Sequence, residues 1–302
     1  MLARLQQLIT LGLLASAGTW LLLFWSRSPL LALAGGAFLL LGYSGFLALE
    51  FVALRFVNRS DPAPRPTWRE LAAAWLGETL LAPQVFCWRQ PFRSQAYPDQ
   101  LAVQDVQHGR RGIVFVHGFF CNRGFWNPWL KQLQGSRHAY LAVNLEPPFA
   151  SIDDYVPFIE DAVLRVTALT GMPPLLVCHS MGGLAARAWL KAMQADARVQ
   201  HVVTLGTPHG GTWLARFSRV ANGRQMQLAG HWSQQLAQDF PPHRNSLFTC
   251  WYSNCDNIVF PCATATLPGA DNRLLFGAAH VQLAFLPEVM RASLALLEEE
   301  GN

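Results

Sequence analysis

The sequence predicts an α/β protein, with a mostly parallel central sheet flanked by helices and preceded by two transmembrane helices. Three observations predict it. Two long apolar runs open the chain. From about Leu101, short β-rich runs alternate with helical stretches, the pattern of a parallel sheet with helices on both faces. Within that alternation, Leu175-Leu176-Val177-Cys178-His179-Ser180-Met181-Gly182-Gly183 ends an apolar strand in a small-residue turn. The turn presents one serine, and a helical stretch follows it.

The first apolar run covers Leu8 to Trp25 and the second Leu30 to about Leu49, with Ser26-Arg27-Ser28-Pro29 between them. Each approaches the roughly 20 residues that cross a hydrocarbon core. Ser16, Gly18, Gly35, Gly36, Gly42 and Gly45 allow two spans to pack closely, and Trp20 and Trp25 fall where an interfacial belt lies. A cleaved signal peptide is the rival reading, since Arg4 and Ala15-Ser16-Ala17 match its flanks. The run continues unbroken to Trp25, which favours the anchor. Arg27 alone lies in the turn, whereas Arg4, Arg55, Arg59, Arg65 and Arg69 lie at the other end. The positive-inside rule then places both ends, and the large domain, on the cytoplasmic side.

Ser60-Asp61-Pro62-Ala63-Pro64-Arg65-Pro66 marks a boundary. Thr67-Trp68-Arg69-Glu70 reads as a capping box. Behind it Trp68, Leu71, Ala72, Trp75, Leu76 and Leu80 keep helical spacing, so this helix lies on a bilayer surface or packs on the domain. Strands are expected at 112–116, 139–145, 174–178, 202–205 and 246–252, and helices at 126–133, 152–169 and 181–193.

Charged residues make up 14% of the chain, against a usual share of about 25%. The net charge of +4 comes from scattered groups, which gives no nucleic-acid footprint. The six cysteines form no paired C-x-x-C units and read as buried thiols, with a disulfide within Cys250, Cys255 and Cys262 as the alternative. No Walker loop, dinucleotide fingerprint or H-E-x-x-H is present, and no distinctive carboxylate cluster near His280 supports a metal.

A serine hydroxyl is a poor nucleophile at neutral pH and needs a base and a group to orient that base. Strand, sharp turn and helix make Ser180 the nucleophile candidate. Of the later histidines, His280 follows every plausible acid loop, in Phe276-Gly277-Ala278-Ala279-His280. Asp256 stands directly after the 246–252 strand and is the preferred acid. Asp271, in the turn-rich Pro268-Gly269-Ala270-Asp271-Asn272, is its competitor. Oxyanion donors are expected at the amides of Met181 and of Phe119, in Val116-His117-Gly118-Phe119-Phe120. His117 and His179 read as bracing groups. Phe120, His209 and Trp213 are the substrate-contact candidates. The 213–245 insertion reads either as a lid over an apolar pocket or as an excursion that completes the core.

These motifs, with Thr207-Pro208-His209-Gly210-Gly211-Thr212 and Asp256-Asn257-Ile258-Val259, resemble bacterial triacylglycerol lipases and esterases of the α/β-hydrolase fold. The resemblance runs from about Gly112 to the C-terminus. It departs from the family at Cys178, where glycine is usual, and in the membrane hairpin. It implies a carboxylic ester or lipid substrate, a serine nucleophile and no organic cofactor. The expected organisation is a hairpin at 1–57, a linker and juxtamembrane helix at 58–100 and a catalytic domain at 101–302, held at the inner membrane. The same triad would serve an acyltransferase or thioesterase, and a scaffold without catalysis is the remaining alternative.

Overall fold

A computed structural model describes all residues except 239, 241 and 299–302. Two positions of the 213–245 insertion and the end of the expected 101–302 domain therefore lie outside the described residues. The two apolar runs form α1 (Leu2–Phe24) and α2 (Pro29–Val57). Both are long and apolar enough to cross a membrane. Ser28 caps α2 by accepting a hydrogen bond from the Leu31 N–H at 3.3 Å, and Pro29 occupies the first helical position, where a missing N–H costs nothing.

The expected capping box opens α3 (Trp68–Pro83), with Glu70 accepting from the Thr67 N–H at 2.7 Å. The buried face of α3 differs from the apolar stripe in the sequence. Leu71, Ala74 and Glu78 are buried, whereas Trp68, Leu76 and Leu80 are exposed. Spacings of three and four place the buried residues on one helix face, so a carboxylate points inward. Trp75 Nε1 donates to the Ser44 carbonyl at 2.8 Å and ties α3 to α2. A π-helical stretch, Gln84–Arg89, and α4 (Gln90–Phe92) lead into the large domain.

Among the described residues that domain holds one six-stranded sheet, every neighbouring pair parallel, in the order β2-β1-β3-β4-β5-β6. Its strands are β1 (Ile113–Val116), β2 (Tyr140–Ala142), β3 (Leu175–His179), β4 (His201–Leu205), β5 (Phe248–Ser253) and β6 (Asp271–Leu275). Strand β6 replaces the turn-rich stretch expected around Asp271. It is an edge strand whose polar start, Asp271-Asn272, is exposed, so it lacks the apolar run that reveals a central strand.

Side chains alternate between the faces of each strand, and the core divides accordingly. Val114, Val116, Leu176, Cys178 and Val202 pack with α6 (Val156–Thr170) and α7 (Met181–Met193). Ile113, Phe115, Leu175, Val177 and Val203 pack with α5 (Asn127–Leu133) and α11 (Pro287–Ala295). On that second face Phe115 meets Trp126 and Trp129 at centroid distances of 5.0 and 5.8 Å. Each such fully buried side chain contributes roughly 1.5–3 kcal/mol. The insertion carries α8 (Ala221–Gln225) and α9 (His231–Gln238), and its Met226, Leu236 and Phe240 are buried in the first core. The helix that begins at the candidate base is α10 (His280–Leu283). Among the described residues all six cysteines are unpaired.

Helix α7 packs so closely on β1 that a Cβ at Gly182 would lie 2.3 Å from the Val116 carbonyl oxygen. Gly182→Ala is therefore expected to destabilise the domain by about 1–3 kcal/mol, seen as a lower unfolding midpoint in detergent. An unchanged midpoint would contradict this packing.

Candidate active site

The apolar strand β3 delivers Ser180 to the turn at its C-terminal end, with φ 54° and ψ −126°. A non-glycine residue holds that conformation only when its surroundings over-determine it. Here the Ser180 N–H donates to the Leu205 carbonyl at 2.9 Å, and the Ser180 carbonyl accepts from Thr207 Oγ1 at 2.8 Å. Thr207 is the working residue of its motif, a role the sequence reading did not assign. Cys178, at the position usually held by glycine, is fully buried in the core between Val116 of β1 and Thr204 of β4.

Asp256 follows β5 and is buried. Its Oδ1 accepts the N–H groups of Ile258 and Val259 at 2.9 and 2.7 Å, which fixes the carboxylate. Its Oδ2 lies 2.9 Å from His280 Nδ1. That contact assigns the Nδ1 proton to the Asp256 side and leaves Nε2 as the acceptor. Burial pushes the His280 pKa down, but Asp256, with further help from Glu78, raises it above the usual histidine value. Asp271 lies on exposed β6, where Arg273 pairs with it at 2.7 Å, and takes no part.

Ser180 and His280 line one apolar cavity of about 430 Å³ together with Phe119, Phe120, Asn257 and Ile258. Ser180 and His280 share no hydrogen bond, as is common for such pairs before a substrate binds. A Cβ at Gly118 would lie 2.8 Å from Ser180 Cβ, so the loop after β1 runs against the serine. Among the described residues no backbone carbonyl accepts the Phe119 N–H. Met181 is the first residue of α7, and such an N–H has no intrahelical acceptor. Both amides expected to face an oxyanion are thus available beside Ser180.

The bracing histidines sit as expected. His117 Nδ1 donates to the Gly118 carbonyl and its Nε2 accepts from the Leu145 N–H, at 3.0 and 3.1 Å, while burial holds its pKa at about 4. The His179 ring stacks on Phe125 at 4.4 Å. Of the substrate-contact candidates, Phe120 lines the cavity. His209 does not. Its ring is buried, with Nε2 3.3 Å from Thr204 Oγ1, and burial keeps it neutral. Trp213 stacks on Phe260 at 5.8 Å, packs against the buried cluster that holds Phe260, and does not line the cavity. None of the described residues of 213–245 lines the cavity.

Three residues around His280 were not anticipated. Asn257 Oδ1 accepts the His280 N–H at 3.2 Å, and its Nδ2 donates to Glu50 of α2 at 2.7 Å. Glu78 of α3 accepts the Val281 and Gln282 N–H groups at 3.1 and 3.2 Å, clamping the helix that carries His280. Burial pushes the Glu78 carboxyl up to about 7, against the pull of His280 and the two N–H groups. In sequence Glu50 stands just after an apolar run, and no local pattern singles out Glu78.

Residues 113–292, more than half of the chain, match the model of the alpha/beta hydrolase family. No curated protein matches the chain by sequence. Among solved structures it is similar to the mature form of the Bacillus licheniformis lipase BlEst2, with 19% identity and a TM-score of 0.56 over 64% of this chain and 94% of that one. It is also similar to Aspergillus fumigatus lipase B, with 17% identity and a TM-score of 0.55 over 64% of this chain and 54% of that one. The chain belongs to the alpha/beta hydrolase family.

Proposed function

We propose that this chain is a membrane-anchored serine hydrolase that cleaves carboxylic esters of the lipase and esterase type. The observation that carries the reading is a strained serine sharing one apolar cavity with a buried, carboxylate-held histidine. Ser180 Oγ attacks the ester carbonyl as its proton passes to His280 Nε2. The Phe119 and Met181 amides take the oxyanion. Asp256 stabilises the imidazolium and keeps its orientation. The tetrahedral adduct collapses with loss of the C–O bond, and His280 returns its proton to the departing alcohol. Water, deprotonated by His280, then attacks the acyl-enzyme, and the second collapse releases the carboxylic acid and reprotonates Ser180.

The contacts of α1 favour an anchor over a removed leader. Gln6 is buried and donates to the Phe120 carbonyl at 3.2 Å, beside the oxyanion loop. Such contacts suit a helix that stays with the domain. With the arginines at the domain end of the hairpin, the positive-inside rule supports a cytoplasmic catalytic domain. We take 101–302 as that domain, with 1–57 as the hairpin and 58–100 as the connection.

Labelling of the full chain by a fluorophosphonate tests the reading. Wild type should label and Ser180→Ala should not, and His280→Ala should lose at least about a thousandfold in kcat. Full activity in either variant would overturn the assignment. Competing alcohol and thiol acceptors in the same assay separate hydrolysis from acyl transfer.

The base must be neutral to work, so kcat/KM should fall as pH drops through the raised pKa of His280. Glu78→Gln removes one of the charges that raise it. The acid limb of the Glu78→Gln profile should therefore move to lower pH. An unmoved limb would remove Glu78 from the electrostatics of the base.

A further inference from the structure

We propose that the N-terminal hairpin is part of the acyl-binding site and not only a tether, and that the substrate is an ester lipid dissolved in the bilayer. This rests on the ester-hydrolase reading above. The cavity that holds Ser180 is walled on one side by residues that precede the hydrolase domain: Phe46, Leu47 and Glu50 of α2, Glu78 and Ala82 of α3, and Phe86 just after it. Phe119, Phe120 and Ile258 of the hydrolase domain complete that lining. A fold that binds soluble esters needs no such wall from a membrane span.

The depth of the cavity agrees. From the turn at Pro29 to Glu50 is 21 residues along α2, or about 32 Å at 1.5 Å per residue, close to the roughly 30 Å of a hydrocarbon core. With the turn at one membrane face, Glu50 falls at the other, and so does the serine cavity it lines. The buried polar residue of α1 nearest that level is Gln6, 18 residues before Phe24, or about 27 Å along the helix. Both polar side chains meet the catalytic domain at the depth where the helices leave the hydrocarbon. That is also the depth of a lipid's ester group, between headgroup and chains.

The wall is continuous with the apolar outer surface of the hairpin. Phe46 lines the cavity yet is 64% exposed, and Leu49, its i+3 neighbour on α2, is 68% exposed. An acyl chain therefore passes from α2's lipid-facing side to Ser180 without crossing water. The cavity volume of about 430 Å³ lies in the roughly 300–1,000 Å³ range of small-molecule pockets.

The test uses the full chain as Ser180→Ala in phosphatidylcholine vesicles, with a monoacylglycerol bearing a diazirine in its acyl chain. Irradiation should cross-link the probe to peptides containing Phe46–Glu50 and Ala82–Phe86. Leu47→Trp, which fills the wall, should reduce that cross-linking about tenfold, and Leu8→Trp, on the exposed face of α1, should leave it intact. Cross-links confined to outward residues such as Leu8, Leu22 and Phe38 would overturn the proposal, and this map needs no pocket variant to fold. Cross-linking at the wall in a protein whose wild type fails to cleave the same lipid would sink the hydrolase reading and leave this wall standing.

Discussion

The 2.9 Å contact between Asp256 Oδ2 and His280 Nδ1 is buried, and much of the molecule is arranged to keep it so. A buried carboxylate at the rim of a sheet is costly unless its oxygens are satisfied. Two backbone N–H groups satisfy Oδ1 and the imidazole satisfies Oδ2. The loop that provides those amides lies at the C-terminal end of β5, where parallel α/β sheets place their reactive groups. Ser180, at the end of β3, is two strands away in the same sheet. Strand order thus brings Ser180, Asp256 and His280 to one rim, and sheet packing holds the serine in a conformation it would not choose.

The N-terminal helices extend that constraint. Glu78 clamps the first turn of α10, and Glu50 holds Asn257, whose amide oxygen in turn takes the His280 N–H. Gln6 holds the carbonyl that follows the oxyanion loop. Removing one partner from a buried, charge-bearing network of this kind generally costs more than the network contributes in total. The N-terminal helices and the hydrolase fold are therefore coupled around His280. As proposed, that coupling lets the membrane span serve as both anchor and pocket wall.

Much of this was legible in the sequence where chemistry coincides with a local pattern. Ser180 stood out because an apolar strand, a small-residue turn and a helix are contiguous. Asp256 stood out because it directly follows a strand, and the cavity geometry separates it from Asp271. Strand β6 was hidden because an exposed edge strand starting Asp-Asn-Arg looks like a turn. Glu50 and Glu78 were hidden because their partners are 207 and more than 200 residues away. His209 and Trp213 were misplaced for a related reason. The Thr207–Thr212 motif passes near the serine and Thr207 bonds it, while the His209 ring is buried in the core and Trp213, just after the motif, stacks on Phe260. The apolar residues of the insertion read equally as lid or core, and Met226, Leu236 and Phe240 are spent on the core.

The most direct measurement is an experimental structure of the full chain in a lipid nanodisc after reaction with a long-chain alkyl phosphonate. Phosphorus is expected on Ser180 Oγ, with the phosphoryl oxygen on the Phe119 and Met181 amides and the alkyl chain in the cavity lined by Phe46, Leu47, Phe119 and Phe120. An alkyl chain running instead beneath the 213–245 insertion, or phosphorus on any other residue, would contradict this reading.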